Sequence, residues 1–227
     1  MMDKRIASKR MRWVFWSLVS LLVLTVVLCI VFYPEPYQFF KQTISSLGHI
    51  SSWPSGLDNS ISRWIFTIGF NLIGLGALIM MIAYTNVKLF YGAGLKVFFL
   101  FIFFFGAIGV AFPADHPDPT YAMYHIIGTA LFVTGFGFFN FVAQLLRFIR
   151  KHVPKPTEGK RKFDFYLDLT FVILVFICVV WYLLSGLFGW LSGIGPVVLS
   201  IFNLFISQKS LLFVGCVAAF LLDLDDM

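Results

Sequence analysis

The side chains best suited to catalysis or metal binding lie close together near the middle of the chain. Asp115, His116 and Asp118 belong to a short polar turn, PADHPDPTY, and His125 follows about one helical turn into the next apolar run. A carboxylate beside an imidazole can orient the ring as a general base, and both groups can bind a metal ion. The alternative is that His125 makes a polar contact between helices or with a substrate, while the turn is solvated.

Other chemistries find little support in the sequence. The chain has no phosphate-binding GxxxxGK[ST] loop, no HExxH zinc motif and no GxSxG nucleophile motif. The spacing of the acidic residues and histidines matches no standard metal motif, so no metal or other cofactor is predicted. The four histidines, at positions 49, 116, 125 and 152, are not expected to form facing pairs across a span, which argues against bis-histidine haem ligation.

Two amide side chains, Asn71 and Asn140, lie inside apolar runs and are expected to be buried. Within lipid each needs a hydrogen-bond partner. Such residues usually join neighbouring helices and contribute about 0.6 kcal/mol on average. Asn71 falls in the outer half of its run, so contact with a lipid headgroup is the alternative there.

The elements that must position these residues are predicted to be membrane helices. Hydrophobic residues make up 59% of the 227 residues, charged residues 12%, and the mean hydropathy is +0.89. A soluble domain usually carries about 25% charged residues. Several apolar runs also reach the roughly 20 residues that span a bilayer. The predicted fold is an all-α, polytopic membrane helix bundle that forms a single transmembrane domain over residues 1–227.

Six transmembrane helices are predicted, at about 13–33, 63–84, 97–113, 122–146, 167–188 and 208–222. The first is interpreted as an uncleaved anchor, because it exceeds the 7–15 apolar residues of a signal peptide and ends without a small-residue cleavage site.

The last predicted span has two possible geometries, because residues 189–222 also fit one long tilted helix. A partly embedded segment up to Ser207, followed by a short span, is preferred, since Gln208 and Lys209 would be costly in mid-membrane. A five-span arrangement with an external carboxyl terminus is the alternative.

The distribution of positive charge predicts the orientation. In the six-span arrangement all of the 17 Lys and Arg residues except Lys41, Arg63 and Lys209 lie on one side. Cytoplasmic loops carry the excess of Lys and Arg, so both termini are predicted to be cytoplasmic. The loops 34–62 and 113–121 are then outward-facing, and the expected location is the plasma membrane.

The basic segment 147–162 is interpreted as part of this orientation signal. It could also attract anionic lipid headgroups, at about 1 kcal/mol per residue. Although the net charge is +6, the basic residues do not form a groove interleaved with aromatic residues, so nucleic-acid binding is not predicted.

Glycines recur through the second, third and fourth predicted spans. Because small residues let transmembrane backbones approach closely, they predict a compact bundle. They are Gly69, Gly74, Gly76, Gly106, Gly109, Gly128, Gly135 and Gly137.

The order of several short motifs resembles a known family. They are Ile44-Ser45-Ser46-Leu47-Gly48, Phe66 and Asn71, Gly106-x-x-Gly109-x-x-Phe112-Pro113-x-Asp115, and His125-x-x-x-Thr129. With this layout over roughly residues 12–223, the chain resembles a prokaryotic six-helix membrane family of unknown function that is distantly similar to the Frag/DRAM/Sfk group. That group includes GPI-anchor lipid-remodelling factors and autophagy modulators.

The resemblance implies a set of site residues at the outer membrane face, namely Ser45, Gly48, Asp115 and His125. Members often carry a Gln-Arg-like pair before the last span, and Gln208-Lys209 matches it with Lys in place of Arg. Because the family has no settled reaction, the resemblance implies no particular catalysis.

The leading hypothesis is an integral membrane protein that interacts with membrane lipids and assists the remodelling of envelope lipids or lipid anchors. An outward-facing polar pocket would serve this role, with Ser45, Gly48, Asn71, Asp115 and His125 as ligand-binding candidates. Among these, His125 and Asp115 are the candidates for catalysis, although no reaction is predicted.

Two alternatives stay open. The chain could be a non-enzymatic structural or scaffold subunit with a protein partner or a second copy of itself. It could also be a small transporter, which would need a polar path, yet the inner halves of the spans offer little beyond Asn140, Gln144 and Asp168.

Overall fold

The computed structural model describes residues 4–86, 92–152, 161–190 and 203–220. These residues form an all-helical structure, in which the only extended pairing is an isolated bridge between Ser51 and Asp58. The helices are α1 (Lys4–Val31), α2 (Ser60–Asn86), α3 (Ala93–Val110), α4 (Pro119–His152), α5 (Arg161–Trp190) and α6 (Leu204–Phe220), with a short 3-10 helix at Ile44–Gly48.

Five of the helices are long and apolar enough to cross a membrane. These stretches are Met11–Val31, Ser60–Thr85, Ala93–Val110, Pro119–His152 and Phe163–Leu187. The helix α6 is also apolar but has 17 residues. Large apolar side chains cover the exposed faces of the bundle, as expected where lipid is the solvent. The prediction of an all-α protein is confirmed for the described residues, and the length and composition of these five helices fit the prediction of a membrane-embedded protein.

The last helix begins earlier than the sequence predicted. The side-chain oxygen of Asn203 accepts hydrogen bonds from the backbone N–H groups of Phe205 (2.9 Å) and Ile206 (3.2 Å). This is a helix N-cap, so the helix starts at Leu204 instead of near residue 208. Residues 204–207 are therefore helical, and the rest of the predicted embedded segment falls mainly on residues 191–202, which lie outside the described residues.

The two ends of the bundle differ in character. We call the end where α1 finishes and α2 begins the loop end, and the segment 32–59 that covers it the roof loop. The opposite end, where α4 finishes and α5 begins, is called the basic end. Span four was predicted to stop at residue 146, but α4 continues to His152, so the first part of the basic segment is helical.

Close contact between α3 and α4 forms the centre of the bundle. A Cβ atom added to Gly109 would lie 2.6 Å from the Cα of Gly128, and one added to Gly135 would lie 2.6 Å from the backbone nitrogen of Phe103. The two backbones therefore touch, as the glycine pattern predicted. The phenylalanine rings of the core pack beside this crossing, with Phe103 and Phe132 centred 4.8 Å apart.

The roof loop is fastened to the first turn of α2. The side-chain amide of Asn59 donates hydrogen bonds to the carbonyl oxygens of Leu47 (3.0 Å) and His49 (2.9 Å). The hydroxyl of Ser62 also donates to the Leu47 carbonyl, at 2.9 Å. These bonds hold the 3-10 helix of the roof loop against the bundle.

The contacts of α6 extend from one end of the bundle towards the other. Near its start, the ammonium of Lys209 donates to the carbonyl oxygen of Phe39 in the roof loop. Near its finish, the carbonyl of Ala218 accepts from Gln144 at 2.6 Å, and that of Ala219 accepts from the Trp16 indole at 3.2 Å. The helix therefore runs antiparallel to α1.

Candidate functional site

The carboxylate of Asp115 fastens the α3–α4 turn to the roof loop. Its oxygens accept hydrogen bonds from the backbone N–H of Ile50 (2.7 Å), the backbone N–H of Ser51 (2.9 Å) and the hydroxyl of Ser51 (3.0 Å). Partial burial raises the pKa of Asp115, but these hydrogen bonds and the nearby His49 outweigh it and hold the pKa below the ordinary value of 3.8. The carboxylate is therefore ionised at neutral pH and holds the α3–α4 turn against the roof loop.

The imidazole of His125 is buried at the start of α4 and bonds to backbone instead of to Asp115. Its Nδ1 lies 2.5 Å from the carbonyl oxygen of Phe112. Because a carbonyl oxygen only accepts, Nδ1 must carry the proton. In the neutral ring Nε2 then carries a lone pair, but the ring is buried and the backbone of Val110 is a second polar group close to it.

The sequence analysis missed the nearest ring to His125, which is His49. The two ring centroids are 6.2 Å apart and the planes meet at 73°. Burial lowers the pKa of His49 below its ordinary value of 6.5, and the neighbouring Asp115 opposes that effect in part. A histidine directly after the ISSLG segment was the available signal, but nothing local in the sequence places it beside α4.

The structure places Ser45 and Gly48 in the packed part of the roof loop. The Ser45 hydroxyl is buried and lies 2.9 Å from the hydroxyl of Thr43. A Cβ added to Gly48 would lie 2.6 Å from a ring carbon of Phe66, so only glycine fits without a shift of that ring. Both residues support the loop, and their expected role in ligand binding stays a prediction.

The prediction that Asn71 is buried is wrong. Its side chain is exposed on α2 and donates to the carbonyl of Thr67 in its own helix, at 2.8 Å. A polar side chain on an exposed helix face can satisfy itself in this way without a partner helix. Asn71 lines a cleft of about 250 Å³ between α2 and α3, together with Arg63 and Phe112.

The other amide is buried as predicted. Asn140 is inaccessible to solvent, and its amide donates to the carbonyl of Phe136 at 3.0 Å. This bond stays within α4, so Asn140 does not join two helices through it.

The remaining polar residues of the α3–α4 turn have local roles. The backbone N–H of Asp118 donates to Nδ1 of His116 at 3.1 Å, and the His116 ring stacks on Tyr121 with centroids 4.0 Å apart. The Asp118 carboxylate accepts from the N–H of Thr120 at 2.9 Å in the first turn of α4. These contacts shape the turn and the helix start.

A long groove between α1 and α6 was not anticipated from the sequence. Its volume is about 380 Å³, and it opens on the outside of the bundle, where Val23, Val27 and Phe213 are exposed. Apart from Lys209 and Ser210 its lining is apolar: Leu22, Val23, Val26 and Val27 from α1, Phe39 and Ile44 from the roof loop, and Ile206, Leu212, Phe213 and Cys216 from α6.

The ammonium of Lys209 lies where this groove meets the roof loop. It donates hydrogen bonds to the carbonyl oxygens of Phe39 and, at 2.6 Å, Gln42. It also lies over the rings of Phe39 (4.3 Å) and Tyr37 (5.2 Å). Next to it, the side-chain oxygen of Gln208 accepts from the N–H of Ile44 at 3.4 Å. The predicted polar pair therefore meets the roof loop, not the middle of the membrane.

A buried ion cluster at the basic end was also missed. The carboxylate of Asp168 on α5 lies 3.2 Å from Arg147, 3.1 Å from Lys151 and 2.8 Å from His152, all on α4. A lone carboxylate inside an apolar run requires a cationic partner, which was the available signal. The basic segment therefore also joins two helices, beyond the orientation role assigned to it.

Comparison with known proteins adds no relative to this description. No family model matches the chain, and neither a curated protein nor a solved structure is significantly similar to it. In the part of the chain that the structure describes, no group of three or more His, Cys, Asp and Glu side chains is placed to hold a metal ion.

Proposed function

We propose that this chain is a six-span membrane protein, with both ends in the cytoplasm, that binds a membrane lipid in the outer leaflet. The groove between α1 and α6 is the observation that carries the proposal. It has the form of a site for one acyl chain, since it opens towards lipid and is apolar except near the roof loop.

The length of the groove along α6 fits the thickness of one leaflet. Along α6 its lining extends from Ile206 to Cys216, and a helix rises about 1.5 Å per residue, so the groove is about 15 Å long. The hydrocarbon core of a bilayer is about 30 Å thick. A groove about half as long as that thickness accommodates an acyl chain that enters from one side of the membrane.

Two features support six spans. The 17 residues of α6 cover about 25 Å, close to the thickness of the hydrocarbon core. The helix also starts beside the roof loop and finishes near Trp16, on the first part of α1. A helix that only entered one leaflet would not reach that far.

The orientation is supported by the position of the cationic side chains. Arg147 and Lys151 lie at the basic end, which by the positive-inside tendency faces the cytoplasm. The loop end with His125 and Asp115 then faces outward. The expected location is the plasma membrane.

Remodelling of envelope lipids or lipid anchors is the activity class that we assign to this lipid-binding role. The support is that a buried histidine, His125, lies at the same end of the bundle as the polar end of the groove. Asp115 serves this end by fastening the roof loop. Neither residue is assigned a bond-making step.

Filling the groove tests the lipid-binding proposal. Val26→Trp would place a large ring in the groove, and Ile79→Trp places the same ring on the exposed face of α2. After mild detergent extraction, native mass spectrometry should find lipid retained by the wild type and by Ile79→Trp, and much less by Val26→Trp. Equal retention by both variants would contradict the proposal.

Labelling of single cysteines tests the orientation. A membrane-impermeant maleimide should label Ser55→Cys in the roof loop from outside intact cells, and should label Glu158→Cys in the basic segment only after lysis. The three native cysteines are replaced by serine in both variants. The reverse pattern would relocate the whole site to the cytoplasmic face.

A scaffold role is the second candidate, and the exposed apolar side chains of the roof loop favour it. Phe40 is 70% exposed, and Phe39, Trp53 and Leu57 are each about half exposed. Such a surface can contact a partner protein. A stoichiometric partner that is lost in Phe40→Ser, with lipid retention unchanged in Val26→Trp, would favour this function over lipid binding.

A further inference from the structure

We infer that Lys209 makes the α1–α6 groove selective for lipids whose headgroup carries a net negative charge. The inference rests on the proposed lipid binding and adds the class of lipid. It commits to a lipid anion as occupant, because the charged group and the apolar groove are continuous with each other.

The ammonium of Lys209 is a buried charge among neutral groups. Two carbonyl oxygens and two aromatic rings surround its ammonium, and all four groups are formally neutral. None of the carboxylates in the described ranges lies within 4.0 Å of it. Carbonyls and rings stabilise a cation but leave its net charge uncompensated. Because Lys209 is 94% buried, an anion beside it would be favoured.

The charge of Lys209 lies near one end of the groove. Lys209 lines the groove near its roof-loop end, next to Ser210. On α6, Ile206 lies about one turn above it, and Leu212, Phe213 and Cys216 lie below it. An ammonium has three N–H groups, and two of those on Lys209 already donate to carbonyls. The third is available for a phosphate oxygen. The polar groups lie near the roof loop and most of the apolar lining lies deeper, which suits a lipid whose headgroup is at the outer surface and whose acyl chain enters the groove.

A purely structural role of Lys209 would have a different consequence from headgroup selectivity. Lys209 also fastens residues 39–42 of the roof loop to α6, and that role alone would need no lipid. A fastening role predicts loss of stability on substitution, without any change in the kind of lipid retained. Headgroup preference is therefore the quantity to measure.

The experiment uses nanodiscs with equal amounts of phosphatidylcholine and phosphatidylglycerol. The lipids that remain bound are counted by native mass spectrometry. Wild type should retain phosphatidylglycerol about fivefold over phosphatidylcholine, which corresponds to about 1 kcal/mol for one lysine. Lys209→Gln should bring the ratio close to one while lipid is still retained, and Lys209→Arg should preserve the preference. The control Lys41→Gln removes an exposed lysine of the roof loop and should change nothing.

A second variant guards against misfolding of Lys209→Gln. Ser210→Asp leaves the contacts of Lys209 with the roof loop in place and adds a negative charge beside the groove, so it should also lower the preference for phosphatidylglycerol. Unchanged ratios in the folded variants would overturn the inference. Stronger displacement by inorganic phosphate than by chloride at equal ionic strength would identify a soluble phosphate as the ligand, which would also overturn it.

The outcome for the wild type separates the two proposals. If it retains lipid without any headgroup preference, the inference about Lys209 fails while lipid binding stands. If it retains no lipid of either kind, the proposed function fails as well.

Discussion

The carboxylate of Asp168 on α5 lies 3.2 Å from the guanidinium of Arg147 on α4, and both side chains are buried at the basic end. Lys151 and His152 reach the same carboxylate from the last turns of α4. One acidic group therefore holds the ends of two helices together. The cluster also explains why α4 continues beyond its apolar run.

Asp168→Asn should destabilise the protein strongly. The change removes the carboxylate beside the buried guanidinium of Arg147, and breaking a buried ion pair in this way typically costs about 3–5 kcal/mol. Loss of folded protein on heating in detergent, followed by size-exclusion chromatography, measures the effect. The control is Asp164→Asn, whose exposed carboxylate lies 3.9 Å from Lys151 and should matter little. Equal behaviour of the two variants would show that the cluster is not a clamp.

Gly128→Ala should push α3 and α4 apart. A Cβ at Gly128 would collide with the backbone at Gly109, which cannot move aside as a side chain can. Overpacking usually costs about 1–3 kcal/mol, and a backbone collision falls at the upper end of that range. The thermal midpoint in detergent should fall sharply. Gly186→Ala is the matched control, because a Cβ there meets nothing within 4 Å; a comparable fall in that variant would contradict the explanation.

Acid should loosen the roof loop through Asp115. Its pKa is lower in the folded protein than its ordinary value, so the folded state binds this proton more weakly than the unfolded state does. The stabilisation is present above the unfolded pKa and is lost as the pH falls through the folded one. The lowered pKa of His49 acts in the same direction, with its loss beginning below its ordinary value of 6.5.

The measurement is the thermal midpoint of wild type and of Asp115→Asn between about pH 7 and about pH 2, a range that extends below the ordinary pKa of Asp115. Wild type should lose stability towards the acid end. At neutral pH the variant should be less stable than wild type, by about 1.5–3 kcal/mol for hydrogen bonds to a charged group, and its dependence on pH should be weaker. Parallel curves for the two proteins would show that Asp115 does not carry the effect.

His125 can be tested for a role beyond its hydrogen bond. His125→Asn keeps a side-chain N–H that can donate to the Phe112 carbonyl but removes the second ring nitrogen, whereas His125→Phe loses the bond and leaves that carbonyl unpaired. The phenylalanine variant should lose about 1–3 kcal/mol of stability, and the asparagine variant less. If Nε2 takes part in remodelling, cellular lipid profiles should change in both variants. A normal profile for His125→Asn would reduce His125 to a structural residue.

Local chemistry made the helices predictable. Apolar runs of sufficient length identify membrane helices without knowledge of their neighbours, and the glycine pattern indicated where backbones approach each other. The positions of the helix ends were predicted less accurately, because they depend on single contacts. The cap from Asn203 sets the start of α6, and the contacts of Lys151 and His152 with Asp168 hold the last turn of α4.

The candidate site was only partly predictable. Asp115 and His125 were expected near each other because a short turn joins their helices, and both do lie at the loop end. The sequence could not show that the carboxylate would bind the roof loop or that His49 would lie beside His125. Exposure of Asn71 was equally hidden, since an amide in an apolar run gives no sign of the face on which it lies.

From the sequence alone it follows that the chain forms apolar helices suited to a membrane, because hydropathy is a property of each segment by itself. Only the tertiary structure decided which polar groups meet and where a groove opens. Contacts such as that of Lys209 with Phe39 join residues from distant segments, and their pairing depends on how whole helices pack. The groove between α1 and α6 exists for the same reason, as a space that two packed helices leave between them.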